Sequence, residues 1–385
     1  MLCCPASCLI QLQEAKHTME QTKQRSNIAD LLTTGPLRVA VSFVVPVIAF
    51  LALRWSFIFM RDSEASKFLI GAVALVVGVF GVWLIYIVTN NMVSLLPADI
   101  RERVRPYVFV GPAMVILFTY LVYPTVHTLL LSFRDAKSDN FVGLENYVFA
   151  VTDPKMLVVL RNNLLWLVFV TGFAVGLGLI IAVMVDRIGK WEPIAKSVIF
   201  VPMAISAVGA SVIWKFIYYY QPPGRNQTGL LNAVVVALGS DPVGWLIQRP
   251  WNNFFLIIVY IWMLTGFCMV ILSSAVKGVP GECLEAARID GANEVRIFFS
   301  VIIPCIRGSL ITVTTVVLVM VLKVFDIVFV MTSGQHGTGV IANRMYAEMF
   351  KFRNFGRGST LAIILLILVI PVMIYNLRGL REARR

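Results

Sequence analysis

The chain alternates long apolar stretches with short polar segments. A helix that crosses a bilayer needs about 20 mostly apolar residues, and several stretches of the chain meet this requirement. These stretches are residues 39–60, 68–89, 107–131, 163–185, 197–219, 253–275, 309–332 and 359–377. The pattern therefore predicts an all-α membrane protein, a polytopic bundle of about eight transmembrane helices.

Composition and charge support a membrane protein and indicate its orientation. Of the 385 residues, 58% are hydrophobic and 14% are charged, whereas a soluble globular chain is about 45–50% apolar and about a quarter charged. The formal net charge is +12, but Lys and Arg are spread over short loops and form no stripe that would bind nucleic acid. Their greater frequency in alternate loops predicts that both termini and residues 276–308 lie in the cytoplasm.

The sequence offers no motif for catalysis or metal binding. The six cysteines form no CxxC pair, and His17, His127 and His336 are far apart, so neither a metal site nor a disulfide framework is predicted. No GxxxxGK[ST] loop is present to hold the phosphates of a nucleotide. We therefore expect that the chain binds no cofactor and hydrolyses no ATP by itself.

A polar insert, EAARIDGANEVRIFFSVIIP, separates two of the most apolar stretches at residues 285–304. Residues 282–289 are suited to a short helix, and Gly291 supplies a turn where a side chain would be strained. Apolar residues at spacings of three and four predict a second helix over residues 294–303. Pro304 then marks the return to the membrane. On physical grounds alone, an ordinary amphipathic cytoplasmic loop explains the insert equally well.

The insert resembles the EAA motif of permease subunits of ABC importers. The matching residues are Glu285, Ala286, Ala287, Asp290, Gly291 and Pro304. The resemblance implies that these residues form a coupling helix, which docks in a cleft of an ATPase subunit and transmits its movement to the membrane helices.

Other segments resemble permeases of carbohydrate importers. Residues 131–147 are similar to the first outside loop of those permeases, at Phe141, Gly143, Leu144, Asn146 and Tyr147. Residues 322–334 and 337–350 resemble the maltose/α-glucoside branch, on the side of its larger permease subunit. The large outside domain of maltose permeases, between spans three and four, is missing here.

This resemblance implies an organisation into three parts and a set of partners. The parts are a cytoplasmic tail (1–38), two extra transmembrane helices (39–104) and a permease domain (105–385) that contains the EAA loop (276–308). Residues 1–18 lack a signal-peptide pattern, and a translation start at Met19 rather than Met1 is the simpler interpretation.

The implied partners are a second permease subunit, two ATPase subunits that bind ATP and Mg, and an extracytoplasmic sugar-binding protein, together with membrane lipid. The implied location is the bacterial inner membrane. The implied cargo is an oligosaccharide or α-glucoside.

Candidate substrate contacts combine aromatic faces with hydroxyl-matching polar groups, as a sugar site would require. They are Trp262, Thr265 and Phe267 on the sixth predicted span, and Thr314, Lys323 and Asp326 on the seventh. Lys323 and Asp326 are three residues apart, so on a continuous helix they would share a face. Either they form a structural ion pair, or at least one of them lines the substrate path.

Three alternatives remain open at this stage. The first is an ABC importer permease for another small solute. The second is an ion-coupled secondary transporter that uses Lys323 and Asp326. The third is a membrane scaffold with no transport role.

Overall fold

The computed structural model describes residues 36–63, 66–94 and 98–382. The predicted translation start and residues 1–35 of the predicted tail lie outside the described residues. Within the described ranges the chain is helical, and the β-type pairing seen there is an isolated bridge between Arg134 and Phe141. The prediction of an all-α protein is confirmed.

The chain divides into two compact units, Met1–Tyr123 and Pro124–Arg385. The helices described in the first unit are α1 (Pro36–Asp62), α2 (Lys67–Ser94) and α3 (Ala98–Leu117), the last continued by a π-helical turn (Phe118–Val122). Helix α2 contacts both α1 and α3, for example through the rings of Tyr86 and Phe109, whose centroids are 5.3 Å apart. Most described side chains of this unit are exposed apolar groups, as expected for helices surrounded by lipid.

The second unit begins with two connecting helices and a long span. Its first helices are α4 (Tyr123–Leu131), α5 (Glu145–Thr152), α6 (Pro154–Asp186), α7 (Glu192–Ala204), α8 (Ala207–Ile217) and α9 (Leu230–Ala237). Asp153 caps α6, since its side chain accepts hydrogen bonds from the backbone N–H groups of Lys155 and Met156. Proline at the first position of α6 suits a helix start.

The rest of the second unit carries the polar insert and the last spans. Its helices are α10 (Trp251–Lys277), α11 (Gly281–Ile289), α12 (Glu294–Ile297), α13 (Ile303–Cys305), α14 (Arg307–Leu322), α15 (Asp326–Thr332), α16 (Ile341–Tyr346) and α17 (Phe355–Glu382). Two π-helical turns, Phe298–Ile302 and Ala347–Lys351, extend α12 and α16.

Helices α6 and α10 form the centre of this unit by close packing of small residues. Ala174, Gly178 and Ala182 recur every four residues on the buried face of α6, the small-xxx-small pattern that lets membrane helices approach closely. A Cβ atom added at Gly178 would lie 2.5 Å from the Cβ of Cys268 on α10. The two helices are therefore so close at this point that only glycine fits at position 178.

This contact gives a direct stability test. Gly178→Ala is expected to destabilise the protein by about 2 kcal/mol, because an added methyl group in a packed core forces the helices apart. Gly176→Ala is the matched control, since no atom lies within 4 Å of a Cβ built there. The measurement is thermal unfolding of the detergent-solubilised protein. Equal melting temperatures for the two variants would contradict the packing argument.

Six helices of the described chain are long and apolar enough to cross a membrane. Two further pairs of helices are each bent at a short break, by 93° for 189–204 with 207–217 and by 77° for 294–305 with 307–322. If each bent pair is one span, the number of spans is eight. The predicted continuous helix over 197–219 is wrong at Ile205 and Ser206, where the backbone is extended and Ser206 caps α8.

Candidate coupling and transport sites

The polar insert folds as the helix-turn-helix that its sequence predicts. Helix α11 ends at Ile289, and Gly291 takes the left-handed conformation, with φ of 79°. Asn293 begins α12, and its side chain accepts a hydrogen bond from the backbone N–H of Arg296. Because no atom lies within 4 Å of a Cβ built at Gly291, the backbone angle alone requires glycine there.

The residues that match the EAA motif lie on the outer surface of the insert. Glu285, Ala286, Asp290, Gly291 and Pro304 are exposed, and only Ala287 is partly buried. Apolar side chains accompany them, since Ile289 is 86% exposed, Val295 65% and Phe299 62%. A surface of small residues flanked by exposed apolar groups is suited to contact with another protein.

Ion pairs connect the insert to the ends of the neighbouring spans. Glu294 pairs with Arg288 at 3.2 Å and with Arg187, at the end of α6, at 2.5 Å. The hydrogen bond from Arg288 and the charge of Arg187 lower the pKa of Glu294, so this carboxylate stays ionised at neutral pH. A second network joins Lys277, at the end of α10, to Glu192 at 2.6 Å. These ion pairs join the insert to the end of α6, and the end of α10 to the start of α7.

The seventh predicted span is interrupted at its two charged residues. Helix α14 ends at Leu322, and α15 begins at Asp326 after a segment in which Phe325 has φ of −137°. Lys323 and Asp326 are both exposed, and the described residues contain no ion pair between them. The predicted continuous helix over 309–332 is therefore wrong. Of the two alternatives for Lys323 and Asp326, the ion pair is absent from the described residues, because the interruption removes the helical geometry that would place the two side chains together.

A cavity of about 310 Å³ opens beside this interruption. It is lined by Lys323, Phe325, Ala342, Met345, Tyr346 and Leu365. The ring of Tyr346 contacts those of Phe325 and Phe329, with centroids 5.4 and 5.1 Å apart. A cation and a group of aromatic rings thus share one surface, which the sequence did not reveal because Tyr346 comes from a distant helix.

The other candidate contacts lie away from this cavity. Trp262 packs edge-on against Trp214 at 5.6 Å. Thr265 is buried, and its hydroxyl donates to the carbonyl oxygen of Ile261 at 2.7 Å. Phe267 and Thr314 are partly buried. None of these four candidates lines the cavity beside Lys323, and their role as substrate contacts stays a prediction.

The first outside loop is held by a buried asparagine. The side-chain amide of Asn146 donates to the carbonyl oxygens of Ser132 and Arg134, at 3.0 and 2.7 Å. Phe141 and Leu144 in this loop are 78% and 63% exposed. Those apolar side chains give it a surface suited to another protein.

A second segment that the charge pattern places outside, residues 333–340, is held by asparagines from two spans. The side-chain amide of Asn162 on α6 donates to the carbonyl oxygens of Gly337 and Gly339, at 2.7 and 2.9 Å. Asn252 on α10 donates to the carbonyl oxygen of His336 at 3.0 Å, and Arg249 donates to the same oxygen at 2.6 Å. We call residues 333–340 the outer loop.

Comparison with known proteins agrees with these features. Residues 174–384 match the family described as "Binding-protein-dependent transport system inner membrane component". The osmoprotective compounds uptake permease protein GgtC of Synechocystis is 63% identical, over 72% of this chain and 99% of the relative. The alpha-glucoside transport system permease protein AglF of Rhizobium meliloti is 50% identical, over 73% and 83%.

A solved structure has a similar fold. A chain of a bacterial ABC transporter involved in the import of alginate superposes with a TM-score of 0.63 at 19% identity, and the match covers 74% of this chain and 97% of that one.

Proposed function

Because the chain belongs to the inner membrane components of binding-protein-dependent transport systems, we propose that it forms the pathway for an oligosaccharide or α-glucoside in an ATP-driven importer. It is a transport subunit rather than an enzyme, and it lies in the bacterial inner membrane. The similarity to AglF, a permease protein of an alpha-glucoside transport system, supports this class of cargo. So does the cavity that Lys323 forms with the aromatic rings of Phe325 and Tyr346, since a sugar presents both apolar faces and hydroxyl groups.

The observation that carries this proposal is the exposed helix-turn-helix at residues 281–305. We propose that its EAA residues dock on an ATPase subunit, with Ile289 and Phe299 among the apolar contacts. The ion pair between Arg187 and Glu294 would then pass a displacement of the insert to the end of α6. The mechanism is alternating access, in which closure of the ATPase pair opens the pathway outward.

The proposed assembly contains this chain, a second permease subunit, two ATPase subunits and an extracytoplasmic sugar-binding protein. ATP and Mg bind the ATPase subunits, and this chain binds no cofactor. The absence of a phosphate-binding loop from the sequence supports this division of labour.

The interruption at Lys323 supports a polar path through the bilayer. Helix α14 has 16 residues, so it covers about 24 Å of a hydrocarbon core that is about 30 Å thick. A charge at the centre of that core costs about 2.5–3.5 kcal/mol when it faces lipid, and this is the upper bound for a charge nearer its edge. Lys323 and Asp326 are exposed without pairing to each other, so their surface is better suited to a water-filled path or to a partner than to lipid.

An uptake experiment tests the function. The chain and its partner subunits, produced together in a host that lacks α-glucoside uptake, are expected to import labelled trehalose, sucrose or maltose. Uptake should stop when ATP is depleted and continue when an ionophore collapses the ion gradients. Uptake that survives ATP depletion and stops with the ionophore would instead identify a secondary transporter.

A further inference from the structure

An outside pocket of about 330 Å³ lies between the end of α8 and the outer loop. It is separate from the cavity beside Lys323, and the two share no lining residue. Its walls include Lys215, Tyr219, Tyr220, Ile247, Gln335 and His336. A volume at the low end of the range for small-molecule pockets suits a ligand with the size of a sugar ring.

The polar side chains of this pocket are available to a ligand. Gln335 and His336 are exposed, and among the described residues their side chains make no hydrogen bond to the protein. Lys215 makes one long contact, 3.4 Å from its Nζ to the carbonyl oxygen of Val330. Tyr219 is 46% exposed and presents an aromatic ring beside these groups. No carboxylate lines the pocket, so its polar groups are the Lys215 ammonium and side chains that can form hydrogen bonds.

The wall formed by the outer loop is fixed before any ligand arrives. Ser333, Gly334, His336 and Gly337 all have left-handed backbone angles, with φ of 53°, 73°, 54° and 77°. A left-handed backbone is strained for His336, and a strained residue of this kind persists only where contacts with the rest of the protein fix its backbone. Here the carbonyl oxygen of His336 is held by Arg249 and Asn252. A rigid wall reduces the loss of conformational entropy on binding.

We propose that this pocket binds a sugar ring of the cargo at the outer face, before the cargo reaches the cavity beside Lys323. Tyr219 provides the stacking surface, and Gln335, His336 and Lys215 bond the hydroxyl groups. This inference rests on the proposed carbohydrate cargo. The neutral amide of Gln335 and the tyrosine rings beside Lys215 favour a polyhydroxylated ligand over an acidic side chain of the binding protein.

The test uses the complete importer, with maltose, trehalose and sucrose as probes. Tyr219→Ala and Gln335→Ala are expected to raise the KM of uptake about three- to tenfold, because each variant loses one stacking or hydrogen-bonding contact with the sugar. The maximal rate of uptake should stay unchanged. His336→Gly should do the same, because glycine keeps the left-handed backbone while the imidazole is removed. Phe216→Ala is the matched control, since Phe216 follows Lys215, is 70% exposed and does not line the pocket.

A direct binding measurement accompanies the kinetics. Saturation-transfer NMR on the purified importer without binding protein should show transfer to the probe sugar, reduced in Tyr219→Ala and normal in Phe216→Ala. Wild-type values of KM and saturation transfer in the pocket variants would overturn the inference while leaving the proposed function intact. Unchanged transfer with weaker docking of the binding protein would also overturn it, in favour of a protein ligand. No sugar uptake by the wild type would refute the proposed function, and this inference with it.

Discussion

Replacing Lys323 by methionine is expected to lower carbohydrate uptake by roughly tenfold or more, since a hydrogen bond from a charged group contributes about 1.5–3 kcal/mol. The amount of protein in the membrane should stay the same. Lys323 is exposed at the end of α14 and does not pair with Asp326, so its removal leaves no partner charge unpaired there. Asp326→Leu should act in the same way. The measurement is the initial uptake rate, normalised to the protein detected in the membrane.

The double variant Lys323→Met with Asp326→Leu separates a transport role from a structural pair. Removing both members of a buried ion pair typically restores stability that a single replacement loses. Here we expect the double variant to recover no uptake, so that its uptake rate is no higher than that of the single variant with the lower rate. Arg161→Met is the control, because Arg161 is an exposed cation near the start of α6. Uptake in Lys323→Met equal to that in the control would refute a role in the pathway.

The sequence predicted the polar insert well because its signals are local. Gly291 marks the turn, and the apolar spacing after Glu294 gives the helix that follows it. The apolar stretches likewise predicted the spans, since length and hydropathy decide whether a helix can cross a bilayer.

The interruption at Lys323 has no comparable signal. No glycine or proline occurs between Leu322 and Asp326, and valine and phenylalanine are as apolar as the residues around them. The backbone leaves the helix there while Val324, Ile327 and Val328 all remain buried. Tertiary packing, rather than local preference, therefore determines this feature.

Long-range contacts also explain why the outside pocket was missed. Asn162 is 175 positions from Gly337, whose carbonyl oxygen it binds, and no local pattern relates the two. Ser206 is a different case. Its side chain caps α8 by accepting from the N–H of Gly209, and serine is among the preferred residues at a helix start. That signal could have located the break between α7 and α8.

Gly291→Val is expected to abolish most of the substrate-stimulated ATP hydrolysis of the assembled importer, together with uptake. The left-handed conformation costs a residue with a side chain about 1–2 kcal/mol, and a β-branched residue resists it most. Because the space around Gly291 is open, valine would not clash with the protein. It would instead change the turn and so displace α11 from α12, the two helices that the ATPase subunit is proposed to contact together.

Gly281→Val is the matched control for this prediction. Gly281 begins α11 of the same helix-turn-helix, a Cβ built there meets no atom within 4 Å, and its φ lies outside the left-handed range. The control should therefore retain stimulated hydrolysis, measured with binding protein and substrate, while both variants assemble with their partners in normal yield. If Gly291→Val retains stimulated hydrolysis, the turn is not needed for coupling. If both variants lose it equally, side-chain bulk on the docking surface is responsible, and the left-handed turn is not.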